Sequence, residues 1–398
     1  MTRIRPGLRD ATLLTQLGRD PERHFGIVNP PVYRASTVLA PTVAAYESRR
    51  PHEGVTYGRA GTPTTFALEE AIAGIERGHR TLVVGSGKAA CVLTLAALTR
   101  AGDHVLVVDC VYGPTRRFCE RVLRRFGVEV EYFDPRIGSG IRELLRPNTR
   151  LVFLESPGSL TFELQDVPAI AEICRGRGVL TAMDNTWATP LFFRPLEVGV
   201  DVSIQAVTKY IGGHSDLVMG AVTTGAGLHL ELRDGIYEYG APAGPDDCWL
   251  ALRGLRTLAA RLERHERSAL RVAEWLAGRP EVARVLHPAL DTHPDHALWK
   301  RDFRGATGLF GVVLRPVPTE AVHAMVDGLE LFGIGASWGG YESLVLVTHP
   351  ERQRTAVPWR AEGPTLRFHV GLEDPDDLVA DLEAGFARLR RVAEGRRP

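Results

Sequence analysis

Short apolar runs alternate with amphipathic stretches between about residue 62 and residue 225 of this chain. The runs are rich in Val, Leu and Ile, which is typical of strands that are buried on both faces. Apolar positions at helical spacing separate many of them, so the alternation predicts a mostly parallel sheet covered by helices. The predicted strands are Thr81–Val84, His104–Asp109, Glu129–Phe133, Leu151–Leu154, Val179–Met183 and Val202–Ala206, and the predicted helices include Ala89–Arg100, Arg116–Phe126 and Pro168–Arg175.

A second, smaller α+β region is predicted after a break at residues 226–248. Before the sheet region, residues 1–60 are rich in proline and polar groups and predict an extended arm. We therefore divide the chain into an arm (1–60), an α/β domain (61–248) and a C-terminal α+β domain (249–398). The elements predicted for the last domain are a long helix at Trp249–Leu276, strands at Gly308–Leu314, Leu344–Thr348 and Thr365–Val370, and a closing helix at Pro375–Arg390.

Charge and composition exclude several function classes. The 48 basic and 48 acidic residues balance, so nothing indicates a nucleic-acid partner. No apolar stretch approaches the roughly 20 residues of a membrane span, and the N-terminus does not resemble a signal peptide. The five cysteines form no Cys-x-x-Cys pair, which favours reduced thiols in a cytoplasm. The histidines at 287, 293 and 296 are interrupted by prolines, and we expect a loop there and no metal site.

Lysine is rare in this chain, with three residues against 45 arginines. Unlike a guanidinium, a lysine amine can lose its proton and condense with an aldehyde. Lys209 follows the predicted strand Val202–Ala206, and Asp184 follows the strand Val179–Met183. Pyridoxal phosphate (PLP) needs a lysine for its Schiff base and a carboxylate facing its pyridinium nitrogen. The pair therefore indicates a PLP site, although a surface lysine in a turn would look the same.

An alternative comes from Gly85-Ser86-Gly87-Lys88-Ala89-Ala90, which follows a strand and opens a helix. It matches the Gly-x-Gly-x-x-Ala form of a dinucleotide fingerprint, and Asp109 ends the next strand where a ribose-binding acid belongs. The chain could then be an NAD-dependent oxidoreductase. Both readings hold a phosphate at a helix N-terminus, but dinucleotide binding leaves Asp184 and Lys209 without a role.

Eight longer motifs occur in order along the chain. They are Leu154-Glu155-Ser156-Pro157-Gly158-Ser159, Met183-Asp184-Asn185-Thr186-Trp187, Asp201-Val202-Ser203-Ile204-Gln205-Ala206, Thr208-Lys209-Tyr210, Gly213-His214-Ser215-Asp216, Arg253-Gly254-Leu255-Arg256-Thr257-Leu258, Ser337-Trp338-Gly339-Gly340-Tyr341-Glu342-Ser343 and Gly371-Leu372-Glu373-Asp374. Together they resemble the Cys/Met-metabolism family of fold-type I PLP enzymes, and most closely its bacterial cystathionine β-lyases. The resemblance runs from about Thr12 to the C-terminus.

The resemblance implies a role for each residue of a cofactor site. Lys209 would form the Schiff base and act as acid and base, and Asp184 would pair with the pyridinium nitrogen. Tyr112 would stack on the cofactor ring and take part in catalysis, near the leaving thiolate that Lys209 protonates. The phosphate would be held by the amides of Gly87 and Lys88 and by the hydroxyl of Thr208. Lys88 departs from the family pattern, in which a small or apolar residue is usual.

The resemblance also implies a substrate site and an assembly. Arg367 would bind the substrate α-carboxylate, with Ser337 and Trp338 beside it. Tyr57 and Arg59 would reach the phosphate of a neighbouring subunit's cofactor. We therefore expect a homo-oligomer, a dimer or more often a dimer of dimers.

The expected reaction is α,β-elimination from L-cystathionine or a related cysteine S-conjugate, giving a thiol, pyruvate and ammonia. Enzymes of the family that act at Cγ, such as cystathionine γ-lyase, cystathionine γ-synthase and methionine γ-lyase, remain the nearest alternative. The segment Glu155-Ser156-Pro157-Gly158-Ser159 stands where those relatives usually carry Asn-Pro, and Trp338 would restrict the room beside the carboxylate. Residues 240–247 diverge from the β-lyase pattern, so the distal half of the substrate stays open.

Overall fold

Two sheets carry the fold in the computed structural model, which describes residues 7–50 and 54–395. The strands are β1 Arg80–Val84, β2 His104–Val108, β3 Glu129–Phe133, β4 Thr149–Glu155, β5 Leu180–Asp184, β6 Val202–Gln205, β7 Gly220–Thr224, β8 Val282–Leu286, β9 Leu309–Leu314, β10 Gly333–Ile334, β11 Leu344–Thr348 and β12 Thr365–His369. The helices are α1 Asp10–Gln16, α2 Val43–Glu47, α3 Pro63–Glu76, α4 Gly87–Leu98, α5 Gly113–Phe118, α6 Val167–Arg175, α7 Thr189–Phe192, α8 Ala226–Glu238, α9 Pro245–Arg256, α10 Leu258–Ala277, α11 His296–Asp302, α12 Thr319–Asp327 and α13 Pro375–Ala393.

The larger sheet has the strand order β1-β7-β6-β5-β4-β2-β3. Strands β2 to β6 pair in parallel, and every residue of β2 is buried, as expected of a strand covered on both faces. Each strand predicted between residues 81 and 206 is present. The sequence pattern missed β7, which pairs antiparallel with both β6 and β1.

Two predictions after residue 225 are wrong. The break expected at 226–248 contains α8, and the helix expected at Trp249–Leu276 is two helices, α9 and α10. They are separated at Thr257, whose backbone (φ −105°, ψ 3°) leaves the helical region. The interruption at Thr257 follows from packing, because α9 lies against α3 whereas α10 lies against α13 and β8. The domain boundary predicted at 248/249 therefore falls inside α9.

The N-terminal arm is not extended throughout. Leu13 and Leu14 of α1 and the following Leu17 are buried in a cluster with α3 and α9, because their spacing puts them on one helix face. The part after α1 differs, since it exposes large apolar side chains. These are Phe25, Ile27, Val28, Tyr33, Leu39, Val43 and Tyr46.

The edge of the larger sheet where its parallel strands end faces β12 of the smaller sheet, whose strand order is β10-β11-β12-β9-β8. Glu155 and Asp184 are the last residues of β4 and β5, and they are partners in the strand register. Trp187 connects the two regions, because its indole N–H donates to the Leu309 carbonyl at 2.8 Å. Polar groups therefore gather at this edge, where open α/β sheets bind ligands. Among the described helices, none is both long and apolar enough to cross a bilayer.

Candidate active site

A cavity of about 210 Å³ lies between the carboxyl edge of the larger sheet and β12. Its walls bring together most of the predicted site residues, although they are far apart in the sequence. The predicted residues that line it are Gly87, Lys88, Tyr112, Asp184, Thr208, Lys209, Trp338 and Arg367.

Lys209 lies at the centre of the cavity. Its Nζ donates to Ser337 Oγ at 2.7 Å and lies 5.2 Å from the centre of the Trp338 ring. Burial, and after it the Arg367 charge, lower the pKa of Lys209 to about 8, although Asp184 opposes both effects. Near neutral pH, part of this lysine is therefore a free amine that can act as a nucleophile or a base.

Asp184 is fixed by bonds to one of its two carboxylate oxygens. Oδ1 accepts from the Thr186 N–H at 3.0 Å and from Thr186 Oγ1 at 2.5 Å. Among the described residues, Oδ2 has a hydrogen-bond contact only with the Cys91 thiol, at 3.5 Å. Burial raises the pKa of Asp184, and the bonds from Thr186 oppose that shift. A ring N–H would stabilise the ionised form at Oδ2, where the thiol is a weak donor.

The N-terminus of α4 forms another wall of the cavity. Ser86 caps this helix, since its Oγ accepts from the Ala89 N–H at 3.0 Å. A Cβ on Gly87 would lie 2.4 Å from the Ala206 Cβ, so only glycine lets the helix approach the end of β6 this closely. The first amides of α4 are therefore available to an anion. The Thr208 hydroxyl also lines the cavity, but it already donates to the Met219 carbonyl at 3.1 Å and accepts from the Met219 N–H at 2.9 Å.

Tyr112 is anchored by Glu155, an acid for which no separate role was predicted. The Tyr112 N–H donates to Glu155 Oε2 at 2.6 Å, and the Tyr112 ring is 40% exposed at the cavity. Burial and the neighbouring Asp184 raise the pKa of Glu155 well above its usual range. Glu155 was visible only as part of a motif, because its closeness to Asp184 follows from strand register.

Arg367 lies on the side of the cavity formed by β12. Its Nη2 donates to the Ala336 and Ser337 carbonyls at 3.1 Å and 3.2 Å. Burial lowers its pKa to about 10, so it remains charged at neutral pH. Nη1 donates to no described residue and is open to a carboxylate, the group that a guanidinium binds best, with Nη2 beside it on the same edge.

Tyr57 and Arg59 do not line this cavity. Arg59 Nη2 donates to the Tyr237 hydroxyl at 3.2 Å, and the guanidinium lies 5.1 Å and 5.5 Å from the centres of the Tyr237 and Tyr57 rings. Both predicted residues therefore lie outside the cavity of their own chain.

Asp109 decides against the dinucleotide alternative. Its carboxylate accepts from Arg354 Nε at 3.0 Å and from the backbone N–H groups of residues 355–357, and it pairs with Arg116. These bonds outweigh the effect of burial and lower the pKa of Asp109. Both of its oxygens are therefore engaged within the protein, and neither is free for a ribose.

The residues present fit PLP. A helix N-terminus suits its phosphate, a buried carboxylate with one weakly bonded oxygen suits its ring nitrogen, and a lysine with a lowered pKa suits its aldehyde. The sequence pattern of the Cys/Met metabolism PLP-dependent enzymes matches residues 11–387. The chain belongs to that family. The predicted family and the predicted cofactor are thereby confirmed.

Individual relatives agree with this assignment. A putative cystathionine β-lyase of Rhizobium johnstonii is 52% identical over 96% of each chain, and the cystathionine β-lyase MetC of Escherichia coli is 43% identical over 95% of this chain and 98% of its own. An L-alanine/L-glutamate racemase of Wolbachia pipientis wMel is 40% identical over 96% of this chain and 98% of its own. The solved structure of metB from Corynebacterium glutamicum superposes with a TM-score of 0.88 at 31% identity, covering 96% of this chain and 99% of that one. The predicted fold class is thereby confirmed.

Proposed function

We propose that this chain is a PLP-dependent carbon–sulfur lyase. It cleaves the Cβ–S bond of L-cystathionine or a related cysteine S-conjugate and, with one water, yields a thiol, pyruvate and ammonia. The observation that carries the proposal is the convergence of Lys209 and Arg367 on one cavity, where the amine has a pKa of about 8. The relatives named cystathionine β-lyase support elimination at Cβ.

Each proposed role follows from the position of a side chain. Arg367 binds the α-carboxylate through the Nη1 side of its guanidinium, which presents Cα to Lys209. Lys209 removes the Cα proton in its neutral form and returns a proton to the leaving sulfur, while Ser337 orients its Nζ. When bound, PLP supplies the electron sink for the charge that develops at Cα, and Asp184 holds its ring nitrogen.

The test is a substrate panel in which both products are identified. Purified enzyme with PLP is given L-cystathionine, L-cystine, an S-alkylcysteine and L-alanine, with Lys209→Ala as the inactive control. We expect a thiol and pyruvate in equal amounts from a thioether. Formation of 2-oxobutanoate would assign the chain to the enzymes that act at Cγ. Inversion at Cα with no thiol released would make it a racemase.

We also propose that the active unit is a homo-oligomer, a dimer of dimers, in which Tyr57 and Arg59 serve the neighbouring subunit's phosphate. In support, Arg59 lies outside the cavity of its own chain, and residues 25–46 of the arm expose seven large apolar side chains. A second copy of the chain would bury such a surface.

Co-expression of differently tagged Arg59→Ala and Lys209→Ala chains tests this assembly. In a mixed dimer one site carries both changes and the other carries neither, so activity should exceed that of either parent. Arg177→Ala, an exposed arginine elsewhere, replaces Arg59→Ala in the control. A confirmed mixed dimer that is no more active than its parents would refute the shared site, and so would a fully active monomer.

We propose a cytoplasmic location. The five cysteines are all buried and unpaired, which suits a reducing compartment. Fractionation of the native host is the direct test, and recovery of the activity outside the cytoplasm would refute the proposal.

A further inference from the structure

Two side chains of β12 hold the same loop. Arg367 and His369 are two positions apart on this strand and therefore share one of its faces. Arg367 Nη2 donates to the Ala336 and Ser337 carbonyls, and the Gly339 N–H donates to His369 Nε2 at 3.0 Å. The loop between these contacts, residues 336–340, carries Ser337 and Trp338 and is here called the 336–340 loop.

The 336–340 loop packs directly on the backbone of Lys209. Gly339 has a φ of +83°, which favours glycine, and a Cβ there would lie 2.8 Å from the Lys209 carbonyl carbon and from the Tyr210 nitrogen. On the other side, Ser337 Oγ accepts from Lys209 Nζ at 2.7 Å. A shift of this loop would therefore move the hydrogen-bond partner of the lysine amine as well as Trp338.

The contact with Gly339 fixes the tautomer of His369. A backbone N–H only donates, so Nε2 must accept and the ring proton must lie on Nδ1. The Gly340 carbonyl oxygen lies 3.2 Å from the same Nε2, but it accepts no hydrogen bond from it, because Nε2 then carries no proton. Burial first, and then His265, keep the pKa of His369 well below its usual range, so the ring is neutral. Its Nδ1–H is buried and has no partner within hydrogen-bond geometry.

His265, on α10, has the complementary need. Its Nδ1 lies 2.8 Å from the Val370 carbonyl, which can only accept, so the proton of His265 is also on Nδ1. Burial lowers the pKa of His265 to about 4, so this ring is neutral too. Its Nε2 is a buried acceptor without a partner, and its ring centre lies 5.3 Å from that of His369. One histidine lacks an acceptor and the other lacks a donor.

We propose that His265 and His369 form a neutral pair, in which Nδ1–H of His369 donates to Nε2 of His265 directly or through one buried water. The pair joins the Val370 carbonyl to the Gly339 N–H and acts as a positioning device for the 336–340 loop. Neither histidine touches the substrate; both act through Ser337 and Trp338. A buried polar group without a partner is costly, which is the physical reason to join the two orphaned nitrogens.

The tautomers are the first test, and they do not depend on the proposed function. Holoenzyme labelled with ¹⁵N-histidine is analysed by long-range ¹H–¹⁵N correlation, and the two signals among the 13 histidines are assigned with His265→Phe and His369→Gln. We expect both rings to be neutral with the proton on Nδ1, whereas free histidine favours Nε2. A proton on Nε2 of either residue would overturn the pair.

The second test asks whether the pair positions the loop, and it rests on the proposed lyase reaction. His369→Phe removes the acceptor, whereas His369→Gln places an amide oxygen near the position of Nε2. We expect kcat/KM to fall about 10- to 100-fold in His369→Phe, mainly through KM, and to stay within about 3-fold in His369→Gln. His287→Phe, another buried histidine, controls for the general cost of such a replacement.

A double-mutant cycle completes the design. If the histidines act as a pair, His265→Phe combined with His369→Phe should lower kcat/KM no further than the larger single effect. Multiplying effects would show that they act independently and would overturn the proposal. Equal losses in His369→Gln and His369→Phe, with both variants folded and retaining PLP, would also overturn it. Should His369→Phe not fold, the tautomers and His369→Gln still decide.

Discussion

Replacing Arg367 by lysine separates the charge of the guanidinium from its shape. In the structure, Nη2 donates to the Ala336 and Ser337 carbonyls, and Nη1 donates to no described residue and is open to a carboxylate. A lysine keeps one charged nitrogen on a flexible stem, so it cannot hold the loop and grip a carboxylate through two bonds at once. We therefore expect the variant to fold and to bind its amino-acid substrate weakly.

The size of the loss follows from the bonds removed. One charge-assisted hydrogen bond contributes about 1.5 to 3 kcal/mol, which corresponds to roughly a 10- to 150-fold fall in kcat/KM. Burial lowers the pKa of Arg367 to about 10 and would lower that of a lysine in the same place. A lysine starts from a lower value, so it would lose its charge within the assay range. The loss should therefore grow as the pH rises from 7 to 9.

The assay is steady-state release of thiol and pyruvate by the parent, Arg367→Lys and a control, Arg136→Lys, whose arginine pairs with Asp295 away from the cavity. Most of the loss should be in KM, because the carboxylate contact is made in the bound substrate as well as in the transition state. An unchanged kcat/KM would place Arg367 outside the site. A loss confined to kcat would refute its role as the carboxylate anchor.

Further predictions concern the cofactor and the fold. The lysine at 209 should react with PLP in the apoenzyme with a pH midpoint near its pKa of about 8, and Arg367→Leu should move the midpoint upward; an unmoved midpoint, followed by absorbance, would contradict this. Lys209→Ala should lose nearly all turnover, and a variant that keeps full activity would remove the central assignment. Gly87→Ala should weaken PLP retention on dialysis at least about 10-fold, since its Cβ meets Ala206, and tight retention would contradict the close approach of α4. Asp109→Asn should lower the free energy of urea unfolding by roughly 2 to 4 kcal/mol at pH 7. Because the pKa of Asp109 is lowered by folding, that difference should shrink as the pH falls through its range, and a difference independent of pH would refute the linkage.

The parallel core of the sheet could be predicted because its strands are buried on both faces and therefore consist of apolar runs. β7 was not predicted because its sequence, Gly-Ala-Val-Thr-Thr, has few large apolar side chains, although the structure buries all five residues. The interruption at Thr257 was not predicted either, because the apolar residues on both sides of it keep helical spacing. The predicted single helix is interrupted because α9 and α10 pack against different elements. Those elements are distant in the sequence, so they leave no local signal.

The chemistry of the site was more predictable than its support. Asp184 ends β5 and Lys209 follows the neighbouring β6, so the strand order of the larger sheet brings them to one edge. Arg367 lies in β12 of the smaller sheet, and it was predicted from the family resemblance. Glu155 and Cys91 were not singled out, since an acid and a thiol have no assigned role until register or a helix face places them beside Asp184. The arm was misjudged for a similar reason, because α1 is too short for its apolar spacing to stand out from the prolines that follow.

Asp109 illustrates how far a local motif can be trusted. Its position after β2, following a Gly-x-Gly segment, is what a dinucleotide site requires, and the sequence does not show that the nearby Arg116 pairs with this acid. The deciding partner is Arg354, which is 245 positions later in the chain and donates to Oδ2 at 3.0 Å. With residues 355–357, it turns the acid into the anchor of a loop from the C-terminal region. An acid at the end of a strand indicates a ligand only when no such loop reaches it, and that condition is set by tertiary contacts.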